Sequence, residues 1–161
     1  MEKLSHLDEK GRAAMVDVST KERTRRRAVA GGKITLRPDV TDMILEGDVP
    51  KGDVFQVARV AGIMAAKKTS DLVPMCHPLS LTDVKIEFAA QPGGDTIEVT
   101  AEVIAVDRTG VEMEALTAAT AAALTVYDMC KAVQRDMTLG PFALMEKEGG
   151  KSGRYVREQN R

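Results

Sequence analysis

Two alternating runs joined by a turn constrain this chain more than any other stretch in it. Residues 81–90, LTDVKIEFAA, put Val84, Ile86 and Phe88 on one side and Asp83, Lys85 and Glu87 on the other. Residues 96–107, TIEVTAEVIAVD, alternate in the same way. Period-two alternation marks a strand with one face buried and one face wet. Gln91-Pro92-Gly93-Gly94-Asp95 between them are turn formers. The spacing therefore predicts a β-hairpin over 82–107. With one face wet, whatever covers the sheet must sit on the other side.

Helical signals flank the hairpin. PDVTDMILEG, residues 38–47, opens on Pro38 and closes on Gly47. GDVFQVARVAGIMAAKKTS predicts a helix over 53–68, with Asp53 as N-cap and an apolar stripe of Val54, Val57, Ala58, Ala61, Met64 and Ala65. TGVEMEALTAATAAALTVYDMCKAVQ predicts a long Ala-rich helix over 111–135, with Thr109 and Glu112 at capping-box spacing. RRRAVAGGKITLRP reads as a strand over 25–36, bent at Gly31-Gly32, and MTLGPFALMEKEGG as a last strand. Residues 1–24 read as loose and polar, with flexible ends at 1–13 and 154–161. The order β-α-α-β-β-α-β belongs to the α+β class. It predicts one domain over 1–161, a ferredoxin-like sandwich whose mostly antiparallel sheet carries its helices on one face.

Composition excludes several functions. The formal net charge is −1, so no global field draws the chain to nucleic acid or an anionic membrane. Aromatic residues are 3% and Trp is absent, so stacking platforms for single strands are missing. No apolar run approaches the roughly 20 residues of a membrane-spanning helix. The polar N-terminus does not read as a signal peptide. A cytoplasmic protein with Cys76 and Cys130 as reduced thiols is the expectation. Small apolar side chains bury little area each, which predicts that the chain covers further surface with copies of itself.

The residues that carry chemistry fall in three places. In VPMCHP, Pro74 and Pro78 disfavour helix, so Cys76 and His77 sit on a stiff connector. Such connectors suit a site, although Cys76 also reads as a small buried hydrophobe and His77 as a plain loop residue. No CxxC or HxxxH spacing supports structural zinc. The Ala-rich helix carries Glu112 and Glu114 in its first turn and Asp128 with Lys131 on one face near its end. Ionised groups on so greasy a helix are paired or functional; a surface ion pair and a capping acceptor are the plain alternatives. The third set is basic: Lys21, Arg25, Arg26, Arg27, Lys51, Lys147 and Lys151. Lys51 lies in a Pro-Gly loop just before a helix N-terminus, a place that favours anions. GGKSG near the end lacks the spacing of a Walker loop.

MVDVSTK, KGDVFQVARVAGIMAAKKTSDLVPMCHPLSLTDV, TGVEMEALTAATAAALTVYDMCKAVQRDM and GGKSG together resemble the MoaC family, over about residues 14–153. Met75 stands where other members often carry Leu. The resemblance implies a phosphorus–oxygen lyase of molybdenum cofactor biosynthesis, a cyclic pyranopterin monophosphate synthase. Such an enzyme converts 3′,8-cyclo-7,8-dihydro-GTP to the cyclic pyranopterin and releases pyrophosphate. It also implies a homo-hexamer, a trimer of dimers with sites at the dimer interface, and neither a redox cofactor nor a protein-bound metal. Whether Mg²⁺ accompanies the triphosphate stays open. By the same resemblance Asp128, Lys131 and Lys51 are the catalytic set. Arg26, Lys147 and Lys21 serve as phosphate cations, with His77 as donor or general acid. Glu112 and Glu114 accept from the guanine-derived hydrogens, and the backbone of Met75-Cys76-His77 and of Met113 shapes the base pocket. A different class is a ferredoxin-like regulatory module that binds a nucleotide without turning it over. Pyrophosphate release separates the two. A purely structural oligomer leaves Lys51, His77 and Glu114 unexplained.

Overall fold

The computed structural model describes residues 10–158. Its elements are β1 (Thr24–Thr35), α1 (Pro38–Glu46), α2 (Val54–Lys67), α3 (Thr69–Leu72), β2 (Leu81–Ala90), β3 (Thr96–Asp107), α4 (Glu112–Cys130), β4 (Thr138–Leu139), β5 (Ala143–Glu148) and β6 (Tyr155–Val156). The sheet order is β2-β3-β1-β5-β6, with β4 also paired to β1. The pairings are antiparallel throughout. Thus β3 lies between β1 and β2, and β1 lies between β3 and β5. Two split βαβ units result, one crossing through α2 and one through α4, which is the ferredoxin-like α+β arrangement predicted from the sequence.

Alternation decides which face is covered. Ile97, Val99, Ala101, Val103 and Ala105 of β3 are buried, as are Ala28, Ala30 and Ile34 of β1. Against them lie Ala115, Ala118, Ala119, Ala122 and Ala123 of α4, each fully buried. Alanine on both sides lets the helix close tightly on the sheet, so the core is thin and needs few aromatics. At Gly62 of α2 an added Cβ would stand 3.0 Å from the Ala118 carbonyl oxygen, so α2 and α4 also approach closely. The opposite sheet face is wet: Arg27 pairs with Glu102 and Glu146, and Lys33 with Glu98.

Several elements differ from the sequence reading. The buried stripe of α2 is Val54, Ala58, Gly62 and Ala66. Val57 and Met64 face outward, 44% and 54% exposed. Apolar residues occupy two faces of this helix, and periodicity alone does not say which one meets the core. α4 stops at Cys130 instead of 135, because the next turn tightens and Val133 and Gln134 both donate to the Cys130 carbonyl. The Thr109–Glu112 capping box does not form: Val111 is the N-cap, so Glu112 is the first helical residue and not the third. The last expected strand is divided into β4 and β5, with a cis Gly140–Pro141 peptide between them, and β6 adds a short strand beyond it. The tail after 154 is not loose at its start, since Arg154 pairs with Glu146 and Tyr155 registers with Lys147. The flexible 1–13 reading falls mostly on residues outside those described. Among the described residues, no helix is long and apolar enough to cross a membrane.

Candidate functional site

The sequence-predicted residues gather at the two ends of α4. At its C-terminal end Asp128 sits between two lysines. Lys131 Nζ donates to Asp128 Oδ1 at 2.7 Å, and Lys51 Nζ donates to Oδ2 at 3.2 Å. Lys51 also donates to the Asp128 backbone carbonyl at 2.8 Å. The loop carrying Lys51 is shaped by a turn, Gly52 N–H to the Val49 carbonyl, and by Asp53, which caps α2 through the Gln56 N–H. It delivers an ammonium to the negative end of the α4 dipole. The hydrogen bond from Lys131, then that from Lys51, holds the Asp128 carboxyl below its ordinary range. The Lys131 ammonium is correspondingly raised by Asp128. This cluster is exposed and carries one net positive charge, which suits phosphate oxygens.

At the N-terminal end of α4 a cavity of about 290 Å³ opens. Lys21, Met75, Cys76, His77, Glu112, Met113 and Glu114 line it. Glu114 is only 4% exposed. Burial pushes its carboxyl up to about 7, and the nearby Glu112 charge adds to the shift. Burial likewise raises the Cys76 thiol, with Glu114 adding to it, so Cys76 is a protonated wall residue and not a thiolate nucleophile. The connector is folded by a turn from the Cys76 N–H to the Val73 carbonyl. The Glu112 carboxylate packs against Gly110, at the place where a side chain on residue 110 would begin. Cys130, buried beneath the other end, is raised to about 11 by the same desolvation.

Two predicted residues lie outside both clusters. Arg26 is 9% exposed and donates from Nε to the Asp107 carbonyl and from Nη2 to that of Arg108, each at 3.2 Å. It holds up the loop that ends in Thr109 and Gly110, and Gly150 packs on its guanidinium. Lys147, on β5, contacts the Ser152 hydroxyl. The cavity also has walls that the sequence reading missed: Val16, Val18, Leu79, Thr109 and Gly110. Val16 and Val18 alternate around Asp17 in MVDVSTK, a short apolar signal inside a stretch read as loose.

The sequence pattern of the MoaC family matches residues 15–150. The chain belongs to the MoaC family. Relatives agree over nearly the whole length. A protein of Pelotomaculum thermopropionicum named cyclic pyranopterin monophosphate synthase is 56% identical over 158 residues, covering 98% of this chain and 93% of that protein. One of the same name from Heliobacterium modesticaldum is 54% identical, covering 99% and 100%. Another from Roseiflexus is 52% identical, covering 98% and 100%. Every residue of both α4 clusters lies inside the span that matches the MoaC family.

Proposed function

We propose that this MoaC-family chain is a cyclic pyranopterin monophosphate synthase of molybdenum cofactor biosynthesis. It takes the cyclised dihydro-GTP and returns the cyclic pyranopterin with pyrophosphate. The observation that carries this reading is Asp128 held between Lys51 and Lys131, on the same helix as a carboxylate-lined cavity. Full-length identity to proteins of that name supports it.

The residues suit the chemistry. A triphosphate brings several negative charges, and Lys51 and Lys131 offer ammonium groups to it. When phosphate oxygens draw those lysines, Asp128 loses the hydrogen bonds that keep it acidic and becomes a stronger base. Glu114, with its carboxyl near 7, exists in both protonation states around neutrality and can accept or return a proton of the purine-derived ring. Lys21 adds positive charge to the cavity wall, whereas Arg26 and Lys147 lie outside it, Arg26 bracing the loop that leads to Thr109 and Gly110. The proposed reaction uses no redox cofactor, and whether Mg²⁺ accompanies the triphosphate stays open.

The same reading includes assembly and location: a cytoplasmic homo-hexamer, a trimer of dimers with the site between subunits. From Glu112 to Asp128 the helix climbs about 24 Å at about 1.5 Å per residue, more than one nucleotide spans comfortably. A two-fold axis across α4 sets the Asp128 end of one copy beside the Glu112 end of the other. Met113, Thr120, Leu124 and Asp128 share the outward face, and Leu124 is 57% exposed there. Val57, Val60 and Met64 of α2 are exposed as well. The test is pyrophosphate release from the cyclised nucleotide with the mass measured by light scattering on the same sample. A mass near six times 17.4 kDa with turnover is expected. Tight binding without pyrophosphate release overturns the enzymatic reading in favour of a sensor.

A further inference from the structure

Residues 14–23 belong to no helix or strand, yet Val16, Val18 and Lys21 form one wall of the cavity. Within the segment the bonds are local: Lys21 N–H to the Val18 carbonyl, and Ser19 N–H to Asp17 Oδ1. Side chains tie it to the rest of the protein. His77 Nε2 lies 2.9 Å from the Val16 carbonyl oxygen. At the other end Arg108 Nε donates to the Lys21 carbonyl at 3.1 Å, and Arg23 Nη2 donates to the Val106 carbonyl at 3.0 Å. A carbonyl oxygen only accepts, so Nε2 of His77 carries the proton in this contact. That edge of the imidazole is therefore occupied by the protein's own backbone.

We infer that residues 16–21 are a strap over the cavity and that His77 is its latch. His77 then acts as a positioning residue through Val16, not as an acid toward the nucleotide. Beyond the single backbone bridge at Ala13, the segment is tied by side-chain hydrogen bonds with no ladder of its own, and such a segment opens at a small fraction of the global unfolding free energy. Opening admits a ligand, and closing brings Val16 and Val18 against its flat ring and Lys21 to its edge. The strap stands on the hydrogen bonds alone. Its effect on catalysis rests on the synthase reading, so the experiment separates the two.

The test compares His77→Gln with His77→Asn. The Gln amide nitrogen reaches about as far as Nε2, whereas the Asn amide stops near Nδ1. Trypsin cleavage after Lys21, followed by mass spectrometry on nucleotide-free protein, reads the strap directly. His77→Gln should be cut at the parental rate. His77→Asn, and Arg108→Met at the other tether, should be cut about tenfold faster with unchanged melts, because the open state is more populated. With the cyclised nucleotide, His77→Asn should raise KM about tenfold while kcat changes less than about threefold, and His77→Gln should restore KM. Equal cleavage of the Gln and Asn variants overturns the latch. So does a His77→Gln protein with a parental strap and a kcat about 100-fold lower, which is the signature of an acid–base group. If no turnover of the nucleotide is found in any variant, the synthase reading fails while the cleavage pattern still decides the strap.

Discussion

Lys51 and Asp128, 77 residues apart in sequence, are joined twice, through the Asp128 carboxylate and through its backbone carbonyl. The second contact fixes the ammonium at the end of α4 whether or not the carboxylate is ionised. Lys51 is thus placed by the helix, and Asp128 is placed between Lys51 and Lys131. This distinguishes the cluster from an ordinary i,i+3 surface pair, which involves two residues and contributes little.

Asp128→Asn is expected to fold, melt and assemble like the parent, because Lys51 keeps its carbonyl partner. Turnover should fall about 10²- to 10⁴-fold, the usual share of an acid–base group. Lys131→Ala should weaken binding as well as rate. Single-turnover kinetics with melts on the same samples check both. A near-parental rate in Asp128→Asn returns Asp128 to a structural role.

Glu114 gives a pH signature with a definite sign. Its carboxyl is raised from 4.5 to about 7 in the folded state, chiefly by burial. A raised carboxyl binds its proton more tightly when folded, so its stabilisation is complete below about 4.5, fades as pH climbs to about 7, and is flat above. The fall is on the order of 3 kcal/mol at most, from 1.36 kcal/mol per unit. Glu114→Gln should flatten the decline and melt higher than the parent at pH about 8. Melts across this range decide it. A parallel decline in both proteins means that some other group sets the slope.

The hairpin and sheet were legible because one-sided burial writes itself into alternate residues, Val84, Ile86 and Phe88 in β2 and Ile97 through Ala105 in β3. The class of fold followed from the order of elements. What was not legible depended on tertiary neighbours. Val57 and Met64 look as apolar as Val54 and Ala58, and only the position of β2 and α4 tells them apart. Glu112 has the spacing of a cap but starts the helix, since the chain turns helical two residues later than Thr109 predicts, with Val111 as the N-cap. Arg26 carries the charge of a phosphate ligand, yet its donors meet the carbonyls of Asp107 and Arg108. Lys51, Asp128 and Lys131 were readable as chemistry. The i,i+3 pairing of Asp128 with Lys131 was legible as well, whereas the arrival of Lys51 was not, because it comes from a loop 77 residues away in sequence.

Gly62 tests the thin core. Its Cβ position is 3.0 Å from the Ala118 carbonyl oxygen and 3.1 Å from the Ile86 side chain. Helix propensity alone favours Gly62→Ala by up to about 1 kcal/mol. Overpacking opposes it by about 1–3 kcal/mol, because backbone cannot yield as a flexible side chain does. Gly62→Ala should therefore melt lower than the parent, and Gly62→Val lower still. A stabilised Gly62→Ala protein shows that α2 shifts without penalty.

The composite site has a test that no single variant supplies. If each site takes Glu112 from one copy and Asp128 from the other, Glu112→Gln and Asp128→Asn are each nearly inactive alone. Unfold a mixture of the two and refold it, and about half of the dimers pair one copy of each kind. In such a dimer one site collects both lesions and the other collects neither. One intact site in two, in half of the dimers, restores about a quarter of parental turnover. A site confined to one chain gives no recovery at all, because every copy carries a lesion in its own site. Adding Leu124→Glu to both partners sharpens the result. A carboxylate on the outward face of α4 should disrupt antiparallel helix pairing, lower the mass seen by light scattering and abolish the recovery, while the melt of each protomer persists. Recovery that survives Leu124→Glu at an unchanged mass places the shared interface on another face of the protein.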